Sequence, residues 1–113
     1  MYLRGATTCF DNVSSVQQRS EELFAELLKA NDKLPSDVSA VLFTVTDDVT
    51  CYNPCTAVRL AFNLNDVAFM CMQEAAINRS VPYCLRVLVV TADNLPQSSA
   101  KFVYLHGAAD LRK

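Results

Sequence analysis

The chain has 113 residues, 51% of them hydrophobic and 19% charged, with a net charge of −2. That is enough apolar material for one packed core and too little length for a second, so residues 1–113 are expected to form a single domain. The mildly acidic balance lacks the basic face on which nucleic-acid binding depends, and no apolar run approaches the ~18 residues of a membrane span.

In chain order, residues 2–8 read as a first strand, with Gly5 after Arg4 marking a place of close backbone approach. A long helix is expected from about Ser14 to Asn31, because Val13, Val16, Leu23, Leu27 and Ala30 recur at helical spacing and Phe24 and Leu28 widen the stripe. Ser14-x-x-Gln17 has the form of a capping box and Asn31 that of a stop. A turn through Leu34-Pro35-Ser36 leads to a strand over 39–46. Pro54 suits the first turn of a short helix, Cys55 to Phe62, with Ala57, Val58, Ala61 and Phe62 inward and Arg59 beside them. A third strand runs through Val67 to Met72 and closes at Glu74. A fourth covers Cys84 to Thr91, and a last apolar run, Phe102 to Leu105, precedes Gly107 and the tail. Five strands and two helices make a mixed α+β domain.

The fourth strand carries the sharpest signal. Alternation places Cys84, Arg86, Leu88 and Val90 on one face and Leu85, Val87, Val89 and Thr91 on the other. Both faces are apolar except at Arg86, which predicts a strand covered on both sides. A guanidinium in that setting requires a partner, since an unpaired buried charge costs several kcal/mol. Glu74 is the candidate partner.

Other chemistries find little support. The opening residues lack the apolar core of a signal peptide, so a cytoplasmic location is expected. The five cysteines are then expected as reduced thiols that mostly act as small buried hydrophobes. Cys51-x3-Cys55 is half a metal site with no second half, and His106 is the only histidine, so no metal and no cofactor are expected. Two matches to the glycosylation sequon, at Asn12 and Asn78, carry no meaning in a cytosolic chain. With two glycines there is no phosphate-cradling loop, and no nucleophile–base pair stands out. What remains is Arg4, Arg59, Arg86 and Arg112, each inside or at the end of an apolar element, with Glu74 and Tyr104. Arginines in such numbers suit a substrate with two carboxylates.

Taken as an ordered set, these positions resemble the monofunctional chorismate mutases of the AroH class. The matching pieces are Arg4-Gly5-Ala6-Thr7-Thr8, Thr44-Val45-Thr46-Asp47-Asp48, and Pro54 with Ala57-Val58-Arg59. They continue with Cys71-Met72-Gln73-Glu74, Cys84-Leu85-Arg86-Val87, Leu95-Pro96-Gln97, Val103-Tyr104-Leu105 and Ala108 to Arg112, in family order across almost the whole chain. The resemblance implies a mixed five-stranded sheet with one long and one short helix, assembled as a trimeric pseudo-α/β-barrel. It implies the Claisen rearrangement of chorismate to prephenate in a cleft shared by neighbouring subunits of a homotrimer. It implies Arg86 and Glu74 as catalytic residues, the first toward the ether oxygen and the second toward the ring hydroxyl. Arg4, Arg59, Phe69, Met70, Cys71, Tyr104 and Arg112 would bind substrate. The chain departs from the family pattern at Asn53-Pro54-Cys55, where Phe-Pro-Ala is usual, and at Phe69 and Met70. Those departures motivate an alternative reading, a non-catalytic trimer that binds a small carboxylate in an altered pocket. A trimeric imine deaminase is a third reading, by analogy of fold.

Overall fold

A computed structural model describes residues 1–77 and 81–111 of the chain. The strands are β1 (Tyr2–Thr8), β2 (Val38–Val45), β3 (Ala68–Gln73), β4 (Cys84–Thr91) and β5 (Val103–Tyr104). The helices are α1 (Val13–Ala30) and α2 (Pro54–Ala61), and short 3₁₀ turns occupy Pro35–Asp37, Gln97–Ser99 and His106–Ala108. The strands form one sheet in the order β3-β2-β4-β1-β5. β4 lies at its centre, antiparallel to both β1 and β2, while β2 pairs with β3 and β1 with β5 in parallel. Parallel neighbours need a crossover, and α2 provides one between β2 and β3.

Helix α1 forms where its apolar stripe dictates. Val16, Leu23, Phe24, Leu27 and Leu28 are buried and pack with Leu3, Val41, Phe43, Leu85, Val87 and Val89 of the sheet in one core. Full burial of each such side chain contributes about 1.5–3 kcal/mol. The helix begins one residue before the expected start because Asn12 caps it: the Asn12 Oδ1 accepts from the Ser15 backbone N–H at 2.8 Å. Ser14 and Gln17 therefore form no capping box, and Val13 stands in the first turn 45% exposed rather than in the stripe. At the other end Asn31 stops the helix as its sequence suggests, its Nδ2 donating to the Leu27 and Lys101 carbonyls at 2.8 Å each.

Helix α2 has Pro54 in its first turn and Asn53 as its cap, the Asn53 Oδ1 accepting from the Cys55 N–H at 2.9 Å. Cys55, Ala57 and Val58 are buried. Ala61 is exposed, and Phe62 turns back onto Phe24 with ring centroids 4.9 Å apart.

Both helices pack on the same face of the sheet. The strand reading of β4 holds in register, but not its two-sided cover. Leu85, Val87 and Val89 lie beneath the helices, whereas Arg86, Leu88 and Val90 are only partly buried on the opposite face. On that open face Tyr2, Met70 and Met72 are 57%, 56% and 40% exposed. Among the described residues its β1–β5 end is covered, where Ala6, Cys84 and Ala108 pack with Val81, Tyr104 and Leu111.

Candidate active site

Strand register assembles the polar residues of the open face. Arg86 pairs with Thr44 on one side and with Ala6 on the other. Thr44 pairs in turn with Met72, and Ala6 with Tyr104. Paired residues share a face, so Met72, Thr44, Arg86, Ala6 and Tyr104 form one row across all five strands. The next row contains Met70, Leu42, Leu88 and Arg4. The two rows line a depression of about 320 Å³ bounded by Arg4, Leu42, Thr44, Met72, Arg86 and Leu88, at the small end of the range for small-molecule clefts.

Glu74 follows β3 on the same alternation as Met72. Its backbone N–H donates to the Val45 carbonyl at 2.8 Å, which extends the β2–β3 pairing by one step. Its carboxylate Oε1 lies 2.6 Å from the Arg86 Nε, with Glu74 only 15% exposed and Arg86 37%. The contact is one of charge rather than an aligned hydrogen bond. Both atoms are buried, and neither has a hydrogen-bond partner among the described residues. The Thr44 and Tyr104 hydroxyls are in the same condition. Buried polar groups are normally satisfied, at about 1–3 kcal/mol for each that is not. The Thr44 hydroxyl at the depression and the Tyr104 hydroxyl in the same row, beside the Arg86–Glu74 pair, leave this face able to receive polar groups of something else.

The start of β4 is held firmly. The Thr46 Oγ1 accepts from the Cys84 N–H at 2.9 Å and donates to the Asp48 carboxylate at 2.6 Å. That carboxylate also accepts from the Tyr83 N–H at 3.0 Å. Tyr83 turns into the strand at φ 52°, a left-handed conformation that a bulky residue adopts only when its surroundings hold it there. This clasp stands two residues before Arg86 and sets where its side chain emerges.

The remaining expected site residues divide by location. Arg4 is exposed on the open face, with its guanidinium carbon 5.7 Å from the centre of the Phe102 ring. Met70 is on that face too, 56% exposed. Phe69 and Cys71 point the other way, opposite Val41 and Phe43, and pack against the helix-covered core. Arg59 is exposed on α2, which packs on β2 and β3. Within one chain, then, Arg4, Arg86, Glu74, Met70 and Tyr104 come together, and Arg59, Phe69 and Cys71 do not join them. Arg112 lies outside the described residues, as does the sequon at Asn78. Thr44, Leu42, Met72 and Leu88 were not among the expected site residues. Alternation along β4 put Leu88 on the face of Arg86, but only the pairing register brings Thr44, Leu42 and Met72 beside it.

The fold and this cluster define an α+β protein with a cationic, carboxylate-partnered cleft on an open sheet. The whole chain, residues 1–113, matches the family model for chorismate mutase type I. It is 31% identical over 111 residues to chorismate mutase AroH of Bacillus subtilis, covering 97% of this chain and 87% of that protein. Chorismate mutase AroH of Thermus thermophilus is 33% identical over 112 residues, covering 97% and 91%. A chorismate mutase structure from Clostridium thermocellum superposes with a TM-score of 0.89 at 29% identity, covering 96% of each chain. The chain belongs to the type I chorismate mutase family and is an isomerase of that class.

Proposed function

We propose that this chain converts chorismate to prephenate at the Arg86–Glu74 cleft, as a homotrimer whose neighbouring subunits complete each site. The observation that carries the assignment is the Arg86–Glu74 ion pair, set beside Arg4 in an apolar depression. The rearrangement is unimolecular and pericyclic. One C–O bond breaks as one C–C bond forms, and no covalent intermediate or proton transfer is required. Such a reaction asks for conformational restriction and for positive charge at the departing oxygen.

Arg86 answers the second need. Its charge strengthens an interaction that grows as negative charge develops on the ether oxygen, so it favours the transition state over the ground state. One well-aimed donor of that kind contributes roughly 3–4 kcal/mol. Glu74 orients the guanidinium and accepts from the ring hydroxyl. Arg4 and the Tyr104 hydroxyl hold carboxylate and side-chain oxygens, and the enolpyruvyl arm is held over the ring.

The open face of the sheet supports the trimer. A contiguous apolar face bearing Tyr2, Met70 and Met72 is left uncovered by the chain's own helices, and faces of that kind mark interfaces. Arg59, Phe69 and Cys71 lie toward the other side of the same sheet, so they reach a substrate at Arg86 only across a subunit boundary. Among the described residues no helix is long and apolar enough to cross a membrane, and the chain is assigned to the cytoplasm, working as one domain without cofactor.

The test is loss of the chorismate diene absorbance with purified protein, beside Arg86→Ala and Arg86→Lys. Rapid loss is expected from the native chain. A drop of about 10²–10³-fold is expected on Arg86→Ala, with Lys failing to restore it because a point charge cannot reproduce the guanidinium fork. A folded trimer that binds chorismate without consuming it would make the chain a small-carboxylate binder instead.

A further inference from the structure

We propose that Cys55 and Cys71 form a dithiol modification site, at which a hydroperoxide converts the two thiols into a disulfide joining α2 to β3. Cys55 is buried in the first turn of α2 and Cys71 is half-buried on β3 beneath it. Their side chains are neighbours: each thiol shifts the acidity of the other, and the Cys55 thiol lies 3.4 Å from the carbonyl of Met70, the residue before Cys71. Two thiols side by side on packed elements have only to close to the bonded distance of about 2.05 Å.

The pair also divides the two chemical roles. The contact between the two thiols draws Cys71 below its ordinary range, while the same contact and burial push Cys55 up. Cys71 is thus the attacking sulfur. Its thiolate takes the terminal oxygen of the hydroperoxide, an S–O bond forming as the O–O bond breaks, and the alkoxide or hydroxide leaves with a proton as alcohol or water. Cys55 then attacks the resulting sulfenic acid. The S–S bond forms, the S–O bond breaks, and the hydroxide departs as water with the Cys55 proton. Two thiols are oxidised by two electrons and one peroxide is reduced.

The other thiols are less suited. Burial pushes Cys9 and Cys84 up to about 11, and Cys51 is exposed and raised. Cys51 is removed from the test as Cys51→Ser, to exclude joining between molecules. That protein is treated with equimolar hydrogen peroxide, alkylated under denaturing conditions and mapped by mass spectrometry. The expected result is one cross-linked peptide pair, Cys55 to Cys71, with the loss of two hydrogen atoms and recovery on dithiothreitol. Adding Cys55→Ser should abolish the cross-link and leave oxygen added at Cys71. Unmodified thiols, a cross-link through Cys9 or Cys84, or equal oxygen addition at Cys71 with and without Cys55 would each overturn the proposal. The readout is thiol mass, so it stands or falls separately from chorismate turnover.

Discussion

The two faces of the sheet are built from the same strands and nearly the same residue types, yet they have different fates. Beneath the helices Leu3, Val41, Phe43, Leu85 and Val89 are fully buried. On the other side Tyr2, Met70 and Met72 stay exposed around a row that contains Arg86 and Thr44. The helix face is completed by its own chain and therefore carries stability. The open face is left incomplete, with apolar surface and unsatisfied polar atoms side by side, and therefore carries recognition. A strand that is apolar on both faces does not say which molecule will cover each.

The largest effect separating the faces is expected from truncation. Phe43→Ala should destabilise the fold by about 3–5 kcal/mol, through lost burial and the cavity left in a close-packed core. Met72→Ala, at a 40% exposed position, should change the denaturation midpoint little at protein concentrations where the chain is monomeric. Its cost should appear instead in sedimentation, as a shift from trimer toward monomer. Equal destabilisation of the monomer by both substitutions would erase the proposed division between the faces.

A smaller effect connects them. Gly5 lies beneath the helices, and a Cβ added there would meet the Val103 carbonyl at 2.8 Å and the Leu23 Cδ1 at 3.1 Å. Gly5→Ala must push β5 outward or displace Leu23, an overpacking cost of about 1–3 kcal/mol. Val103 is followed by Tyr104 on the open face, so the same substitution should also lower mutase activity in protein that is still folded. Urea denaturation gives the first quantity and the chorismate assay the second. A stability loss with unchanged turnover would show that Tyr104 is not held in place through β5.

Much of this was legible in the chain itself, for identifiable reasons. β4 is bounded where alternation ends, and Asn31 stops α1 because its side chain can satisfy the carbonyls that the last turn leaves free. Arg86 and Glu74 were legible as a pair because a charge inside an apolar strand must be answered. The start of α1 was misread because a cap depends on the conformation of the residue before the helix. Asn12, extended at φ −147°, offers a better acceptor than Ser14. Thr44 and Met72 were missed as neighbours of Arg86 because cross-strand register is a long-range property that no local pattern encodes. Phe69 and Cys71 came from resemblance alone. Period-two alternation with Met70 and Met72 places them on the far face, where a single chain offers them no path to Arg86.

The smallest expected effect lies away from the sheet, where the loop after β2 meets the start of α1 on the helix side. The Asp11 carboxylate accepts from the Thr50 and Cys51 N–H groups at 2.9 and 3.1 Å and from the Thr50 hydroxyl at 2.8 Å. These hydrogen bonds, the Thr50 N–H foremost, favour the charged form and lower the Asp11 pKa from 3.8 to about 2. A carboxylate depressed in the folded state stabilises fully above its ordinary pKa, and the contribution is lost as pH falls through the depressed value. The difference in stability between the native chain and Asp11→Asn should therefore be constant near neutrality and shrink between about pH 4 and pH 2. Its partners are neutral donors, so added salt should leave it largely intact, whereas screening weakens exposed ion pairs. Thermal denaturation of both proteins across that window, with and without salt, measures it. A difference that persists unchanged to the acid end would mean that the loop is held by the shape of the Asp11 side chain and not by its charge.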